Sequence, residues 1–444
     1  MNLKSAKILI IGQRFNNFSG GGITLTNLFK GWPKDKIAVA DTGHMLFNVT
    51  TDVCNTYYQL GNEEQKWIFP FNLIQKTFPS GLIPVVTKVE LPDNKSQKSI
   101  RTKLIDRFFF PFLHWIGLYH YFSGIILSQK LKDWLSEYKP EILYIQVSTR
   151  EAILFIIQLC NYLKIPAAIH MMDDWPTTIS QKGILRKYWR NKIDKEFRLL
   201  LDCVDLHLSI SHAMTNEYSK RYNKEFIPFH NPIEVKVWMP YSKTNFSLSK
   251  EHICILYSGR IGPGITESLL EVANAIENIN NGIEIKLHLQ TPTKDNEILN
   301  RLKKQKCVVI NPIVEYTQLP KVYSQADILL IANDFNELGS DFLKYSMPTK
   351  ASEYMISGTP ILVYAPKELA LSKFCSENEC GYCVTEQSQE KIIDAIHFLI
   401  SNEEYRKKIS HNAVRLATEL FDADKVRKEF QQLLINIPKR ENHV

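Results

Sequence analysis

The sequence lacks a clean apolar run long enough to span a bilayer, and it lacks the marks of a secretory leader. Lys4 and Lys7 lead only into Ile8–Ile11, too short for an apolar h-region. No arginine-rich run and no RNA-binding aromatic motif is present. The net charge of +7 over 444 residues suits an anionic substrate or an anionic membrane surface and is too diffuse for nucleic acid. Cysteine is sparse. Cys160, Cys203, Cys254 and Cys307 stand singly in apolar runs, as reduced core thiols do in the cytoplasm. Cys380-Gly-Tyr-Cys383, with Cys375 upstream, has a redox or metal spacing, but it leads into a strand and has no fourth ligand nearby, so a structural role is expected. The Gly-x-Gly-x-x-Gly dinucleotide fingerprint is missing, and no repeat has a solenoid period.

What is present describes a folded enzyme-sized chain. Hydrophobic residues make up 44% and charged residues 23%, the balance of a globular protein, and the length accommodates two domains. Ala6–Gly12 is an apolar strand, followed by Gly20-Gly21-Gly22 and a helical spacing from Ile23 to Phe29. Strand, glycine-rich turn and helix open a doubly wound domain. Ile37–Ala40 is a second strand, and residues 50–100 read only as mixed loops with short helices. Helical spacing runs from Leu104 to Tyr138. Strands are expected at Ile142–Val147, Ala167–Met171 and Leu206–Ile210, and helices at Glu151–Leu163, Ile184–Leu201 and Ser211–Tyr222. Residues 236–250 are polar with little periodicity, the expected linker. Strands and helices then alternate again from Ile253, and a last helix spans Asp424–Ile435.

The chain is organised around Asp341–Tyr364. Pro348 and Thr349 suit a helix start. Lys350 and Glu353, three apart, share one face of its first turn. Gly358 ends the helix and Pro360 keeps it ended. A helix start beside a lysine favours an anion, and a carboxylate one turn in can accept hydroxyls. On spacing alone this is also what an exposed Lys–Glu pair looks like.

Pro348-Thr-Lys-x-x-Glu353-Tyr-Met-x-x-Gly358-x-Pro-Ile closely resembles the donor-binding segment of GT-B glycosyltransferases, specifically the retaining family four that uses nucleotide sugars. Gly259-Arg260 resembles the family's Gly-Arg signature, and Ser211-His-Ala-Met with Asn231-Pro-Ile resembles the end of its first domain. The resemblance implies an α/β GT-B fold of two Rossmann-like doubly wound domains facing across a cleft. Residues 1–235 would form the acceptor domain, rejoined by a helix at 424–444, and 251–423 the donor domain. It also implies metal-independent transfer without a cofactor. By this resemblance Gly21, Gly22, Gly259, Arg260, Thr349, Lys350 and Glu353 bind the donor. Arg260 and Lys350 stabilise the leaving diphosphate, Glu353 takes the ribose, and His170 lies at the sugar. Two positions depart from the family. Ile265 stands where a lysine is usual, a charge that Lys350 or Lys344 would have to supply. Tyr345 stands where an earlier glutamate is usual, with Glu337 as a candidate replacement. A GT-B epimerase or phosphorylase, or a nucleotide-sugar-binding protein without activity, are the alternative readings.

The implied partners are a UDP- or GDP-sugar, a glycan or lipid-linked glycan acceptor in surface polysaccharide synthesis, and no nucleic acid. Asp173-Asp174 is expected to cap a helix or touch the acceptor rather than hold metal. Phe108–Leu127 has no formally charged residue but contains Pro111, Gly117 and Gly124, and it is flanked by Lys103, Arg107, Lys130 and Lys132. That pattern suits a segment lying in an anionic lipid interface, on the cytoplasmic face of the inner membrane; a buried core helix is the other reading.

Overall fold

The computed structural model describes residues 6–42, 49–69, 71–73, 75, 78–84, 108–179, 183–280 and 282–438. The chain forms two compact units. One comprises the residues up to Phe229 together with those from Arg427 on, and the other is His230–Val426.

The first unit is built on strands β1 Ile8–Ile11, β2 Ile37–Thr42, β3 Thr56–Leu60, β4 Gln65–Trp67, β5 Gly81–Ile83, β6 Ser123–Ile125, β7 Ile142–Ile145, β8 Ala167–Met171, β9 Leu206–Ser209 and β10 Phe226–Pro228. Eight of them form one sheet in the order β10-β9-β8-β7-β1-β2-β3-β5. Every pairing is parallel except that of β5 with β3. All residues of β1, β7 and β8 are buried. That is why they read as unbroken apolar runs: helices cover both faces of a parallel sheet. β4 and β6 form a separate antiparallel pair.

The triple glycine, expected as a turn, forms the first turn of helix Gly20–Phe29 instead, with the Ser19 hydroxyl accepting from the Gly22 N–H at 3.2 Å. Gly22 is required there, since a Cβ would stand 2.1 Å from the Asn16 carboxamide. The helical span expected over 104–138 is broken. A seven-residue helix, Phe110–Ile116, ends at Gly117, whose φ of +75° no helix accommodates. A single turn, Tyr119–Phe122, then leads into β6, and helix Gln129–Tyr138 follows. Lys103 and Arg107 lie outside the described residues. The last helix, Ala423–Ile435, returns the chain to the first unit, where Phe430 packs edge-on to Phe29 at 5.2 Å and against Tyr144 and Phe229.

The second unit has six parallel strands: β11 His252–Ser258, β12 Glu284–Gln290, β13 Val308–Asn311, β14 Ile328–Ala332, β15 Ile361–Tyr364 and β16 Tyr382–Val384, in the order β13-β12-β11-β14-β15-β16. Alternate residues of the central strands β11, β14 and β15 feed two apolar cores. Ile255, Tyr257, Leu330 and Leu362 serve one face, and Leu256, Leu329, Ile331 and Val363 the other. The segment expected as a linker is packed onto this unit. Trp238 is buried with its ring 5.7 Å from Tyr323, and Arg406 donates to the Phe246 carbonyl at 2.6 Å.

Candidate functional site

The strand order of the second unit changes direction between β11 and β14, and ligands of doubly wound sheets bind outside the carboxyl ends of the strands at such a point. β11 ends in Ser258-Gly259-Arg260. The Ser258 N–H donates to the Tyr354 hydroxyl at 2.8 Å, and its own hydroxyl accepts from Tyr323 at 3.0 Å. Gly259 has φ +140°, a backbone that favours glycine, and a Cβ there would stand 3.3 Å from Lys350 Nζ, a tight approach. The next backbone is pinned. Tyr257 donates to the Arg260 carbonyl at 2.7 Å, and the Thr293 hydroxyl bridges both the N–H and the carbonyl of Ile261, at 2.8 and 2.9 Å. The Arg260 side chain itself is exposed and bonds no described residue.

Helix Thr349–Ile356 faces this strand end. Pro348 occupies the cap position, and no side chain caps the helix; Thr349, expected as a capping candidate, is its first helical residue. The leading N–H groups therefore stay outside the intrahelical ladder. The start is held from another direction: the Asn231 side chain donates to the Thr349 carbonyl at 3.3 Å, and the Ser352 hydroxyl to the Asn231 carbonyl at 3.2 Å.

Lys350 reaches back to β11. Its ammonium donates to the Ser258 carbonyl at 3.2 Å and sits 3.7 Å above the Tyr257 ring. Burial pushes its pKa down to about 7, against the Glu353 charge. Glu353 is buried and accepts a hydrogen bond from Tyr316; burial pushes its carboxyl up to about 7, with that bond and Lys350 opposing. Two groups destabilised in their charged forms, on one face of a helix start, describe a site that gains from an added anion and hydroxyl donors.

The departing positions have a physical account. Ile265 packs its side chain against the apolar core, so no charge stands there. The Lys344 ammonium lies over the Tyr345 ring at 5.4 Å, and Glu337 is the exposed first residue of helix Glu337–Leu343. Of the expected site residues, Gly259, Arg260, Thr349, Lys350 and Glu353 gather at one edge of the second unit. Tyr257 and Tyr316 join them without having been singled out by motif or spacing. Asn231 joins them too, although the sequence offered it only as part of a motif at the end of the first domain.

Gly21, Gly22 and His170 belong to the first unit. His170 is a residue of β8, fully buried. Its Nδ1 pairs with the Tyr144 hydroxyl at 2.7 Å, and its Nε2 has no partner among the described residues. Burial holds it neutral, lowering its pKa to about 4 although the Ser209 and Phe229 carbonyls face it. Asp174 precedes the short helix Trp175–Thr178, and its carboxylate accepts from Tyr218, Thr177 and both terminal nitrogens of Arg221. Cys375 and Cys380 are buried, and the Cys380 N–H donates to the Cys375 carbonyl at 3.1 Å, closing a helix end into β16.

Two Rossmann-like units, the second carrying a Gly-Arg loop, a lysine and a glutamate at its carboxyl edge, define a protein of the GT-B fold. Residues 246–415, within the second unit, match the family described as glycosyl transferases group 1. No curated protein matches the chain by sequence. Among solved structures, the chain is similar to Anabaena HepE in complex with UDP and glucose, with TM-score 0.61, 12% identity, and coverage of 97% of this chain and 99% of that one. It is similar to sucrose-phosphate synthase from Thermosynechococcus elongatus, with TM-score 0.60, 13% identity and coverage of 96% and 97%. WaaG, a glycosyltransferase involved in lipopolysaccharide biosynthesis, follows with TM-score 0.56, 12% identity and coverage of 97% and 100%. Likeness at this identity establishes the fold.

Proposed function

We propose that the protein moves a sugar from a UDP- or GDP-sugar to a glycan or lipid-linked glycan, with retention at the anomeric carbon, on the cytoplasmic side of the membrane in surface polysaccharide synthesis. The observation that carries the reading is the convergence of Arg260, Lys350 and Glu353 on the carboxyl edge of β11, inside the segment that matches the glycosyl transferases. In this reading Arg260, Lys350 and the free N–H groups of the 349–356 helix bind the diphosphate. They stabilise the charge that develops on it as the glycosidic bond breaks. Glu353 accepts the ribose hydroxyls. A diphosphate oxygen takes the acceptor's proton, so neither a dedicated base nor a metal is required.

The test is a panel of nucleoside diphosphates in thermal denaturation. UDP or GDP is expected to raise the unfolding midpoint, since a ligand at 100 times its Kd stabilises by about 2.7 kcal/mol. No shift with any member overturns the reading. Ile265, packed inward where the family carries a lysine, is the one observation favouring a binding protein without turnover. Transfer of label from a nucleotide sugar excludes that, and the anomeric configuration of the product decides retention.

The same reading assigns His170 a contact with the donor's sugar through its unpartnered Nε2. His170→Asn is expected to cost at least ~10-fold in kcat, within the usual range for one positioned polar group, while nucleotide binding is retained. Wild-type turnover in a normally folded variant makes the histidine structural.

A further inference from the structure

The first unit presents an aromatic surface assembled from two stretches far apart in sequence. Ile184 donates its N–H to the Trp115 carbonyl at 2.8 Å, and the Tyr121 and Tyr188 hydroxyls lie 3.2 Å apart. Gly117, where a Cβ would stand 2.7 Å from Trp189 Nε1 and 2.9 Å from the Leu185 Cβ, lets the two stretches close on each other. Phe112, Trp115, Leu118 and Tyr121 therefore share one face with Ile184 and Tyr188. All six are exposed; Trp115 keeps 51% and Ile184 65% of its surface in water. The base beneath them is fixed. Trp189 is buried, with the Arg150 guanidinium 5.2 Å over its ring, and Arg150 forks onto both oxygens of Glu196 at 2.7 Å.

The formal charge carried by the two stretches themselves is basic. Residues 108–132 and 183–193 contain Lys130, Lys132, Arg186, Lys187, Arg190 and Lys192, and no aspartate or glutamate. Lys130 and Lys192 pair with Glu63 and Glu196. Arg186, Lys187 and Arg190 are exposed and make no ion pair with a described residue, so their charge is available to a partner.

We infer that this surface docks the first unit onto an anionic lipid bilayer. Exposed apolar residues that are grouped on one face and rimmed by polar ones mark interaction sites. Tryptophan and tyrosine, apolar in body and polar at the tip, suit the headgroup level, and unpaired cations beside them complement anionic lipid. The contact is interfacial. The longest helix within 108–127 has seven residues, and no described helix is long and apolar enough to cross a membrane. The inference stands on the first unit alone and holds whether or not the transferase reading does.

The test is co-sedimentation of the full chain with vesicles of phosphatidylcholine, alone or in equal parts with phosphatidylglycerol, at ~0.05 and ~0.5 M salt, between which the Debye length falls severalfold. The protein is expected to bind the anionic vesicles at low salt and to lose at least ~10-fold in partitioning at high salt. Arg186→Gln with Lys187→Gln and Arg190→Gln removes the preference for anionic lipid. Trp115→Ser with Ile184→Ser lowers binding at least ~10-fold at low salt. These positions are exposed, so the unfolding midpoint should hold and any loss is one of contact. Absence of binding at low salt, or variants that bind like the parent, overturns the inference. So does light scattering in which the Trp115 and Ile184 variant converts a dimer to a monomer, since the face then belongs between copies. Binding that resists salt and needs detergent for release replaces docking with insertion.

Discussion

Arg260→Ala and Lys350→Ala are each expected to lower sugar transfer by at least ~100-fold, the scale of removing one preorganised donor from a developing charge. The two arginine and lysine positions differ in what else they do. Tyr257 holds the Arg260 carbonyl and Thr293 the backbone of Ile261 next to it, while the exposed Arg260 side chain bonds no described residue. Its removal should therefore leave the ligand-free unfolding midpoint in place and erase only function. Lys350 is packed between the Ser258 carbonyl and the Tyr257 ring. Its loss changes the helix start as well, so Lys350→Met, which keeps the packing, is the cleaner variant. Single-turnover transfer of a labelled donor measures the effect, with nucleotide-induced thermal stabilisation as the control on binding. Unchanged kinetics in both variants would falsify the assignment.

The pH profile gives the same assignment a sign. A diphosphate selects the charged lysine, and burial has brought that pKa to about 7 in the free protein. Apparent kcat/KM, which reports free-enzyme groups, should fall as pH rises above neutrality. Glu353, raised to about 7, accepts ribose hydroxyls best as the carboxylate, so activity should also fall toward acid. Lys350→Arg keeps its charge throughout this range and should abolish the alkaline limb alone, while Glu353→Gln should abolish the acid limb alone. A wild-type profile flat from pH 6 to 8, a span of about one unit either side of neutrality, would remove both groups from donor binding.

Much of this site was legible beforehand because its information is local. Lys350 and Glu353 are three residues apart on a helix bounded by a proline and a glycine, and Arg260 follows an apolar strand, so spacing alone put them at element ends. Tyr316 was not legible, and Asn231, part of a motif assigned to the first domain, was not legible as a neighbour of this helix. Each reaches the same helix across a long sequence gap, Tyr316 through a single 3-10 turn and Asn231 from the segment next to the boundary between the units. The fold shows the same division. Long buried strands such as β8 and β11 announced themselves, whereas β4 and β5, three residues each, carry too few positions for an alternating pattern. The triple glycine misled because glycine is at home in a turn and also tolerated in a first helical turn; here Ser19 caps the helix and the close approach of Asn16 leaves no room for a Cβ at Gly22. The break at Gly117 is likewise set by Trp189 and Leu185, which no local pattern reveals.

Arg221→Met is expected to destabilise the first unit strongly. Asp174 is only 2% exposed, and Arg221 brings two hydrogen bonds to it, at 2.8 and 3.1 Å. Burial opposes the arginine's charge, but Asp174 and Glu217 outweigh it and hold the guanidinium above its ordinary value. Taking away the cation leaves a buried carboxylate with only the hydroxyls of Tyr218 and Thr177. Breaking such a pair from one side costs ~3–5 kcal/mol, which for a unit of this size lowers the unfolding midpoint by on the order of 10 °C. Removing both charges should cost much less, since the penalty lies in the orphaned carboxylate rather than in a lost attraction. A double-mutant cycle with Asp174→Asn therefore separates the two. If Arg221→Met with Asp174→Asn is no more stable than Arg221→Met alone, the guanidinium acts through its stacking on Tyr218 and Tyr222, 5.1 and 5.7 Å away, and not through its charge. Under the proposed role of His170 the outcome has a second readout. Asp174 stands three residues beyond the end of β8, the strand that carries His170, so a variant that frees this turn should lose turnover well below its unfolding temperature while nucleotide binding to the second unit persists.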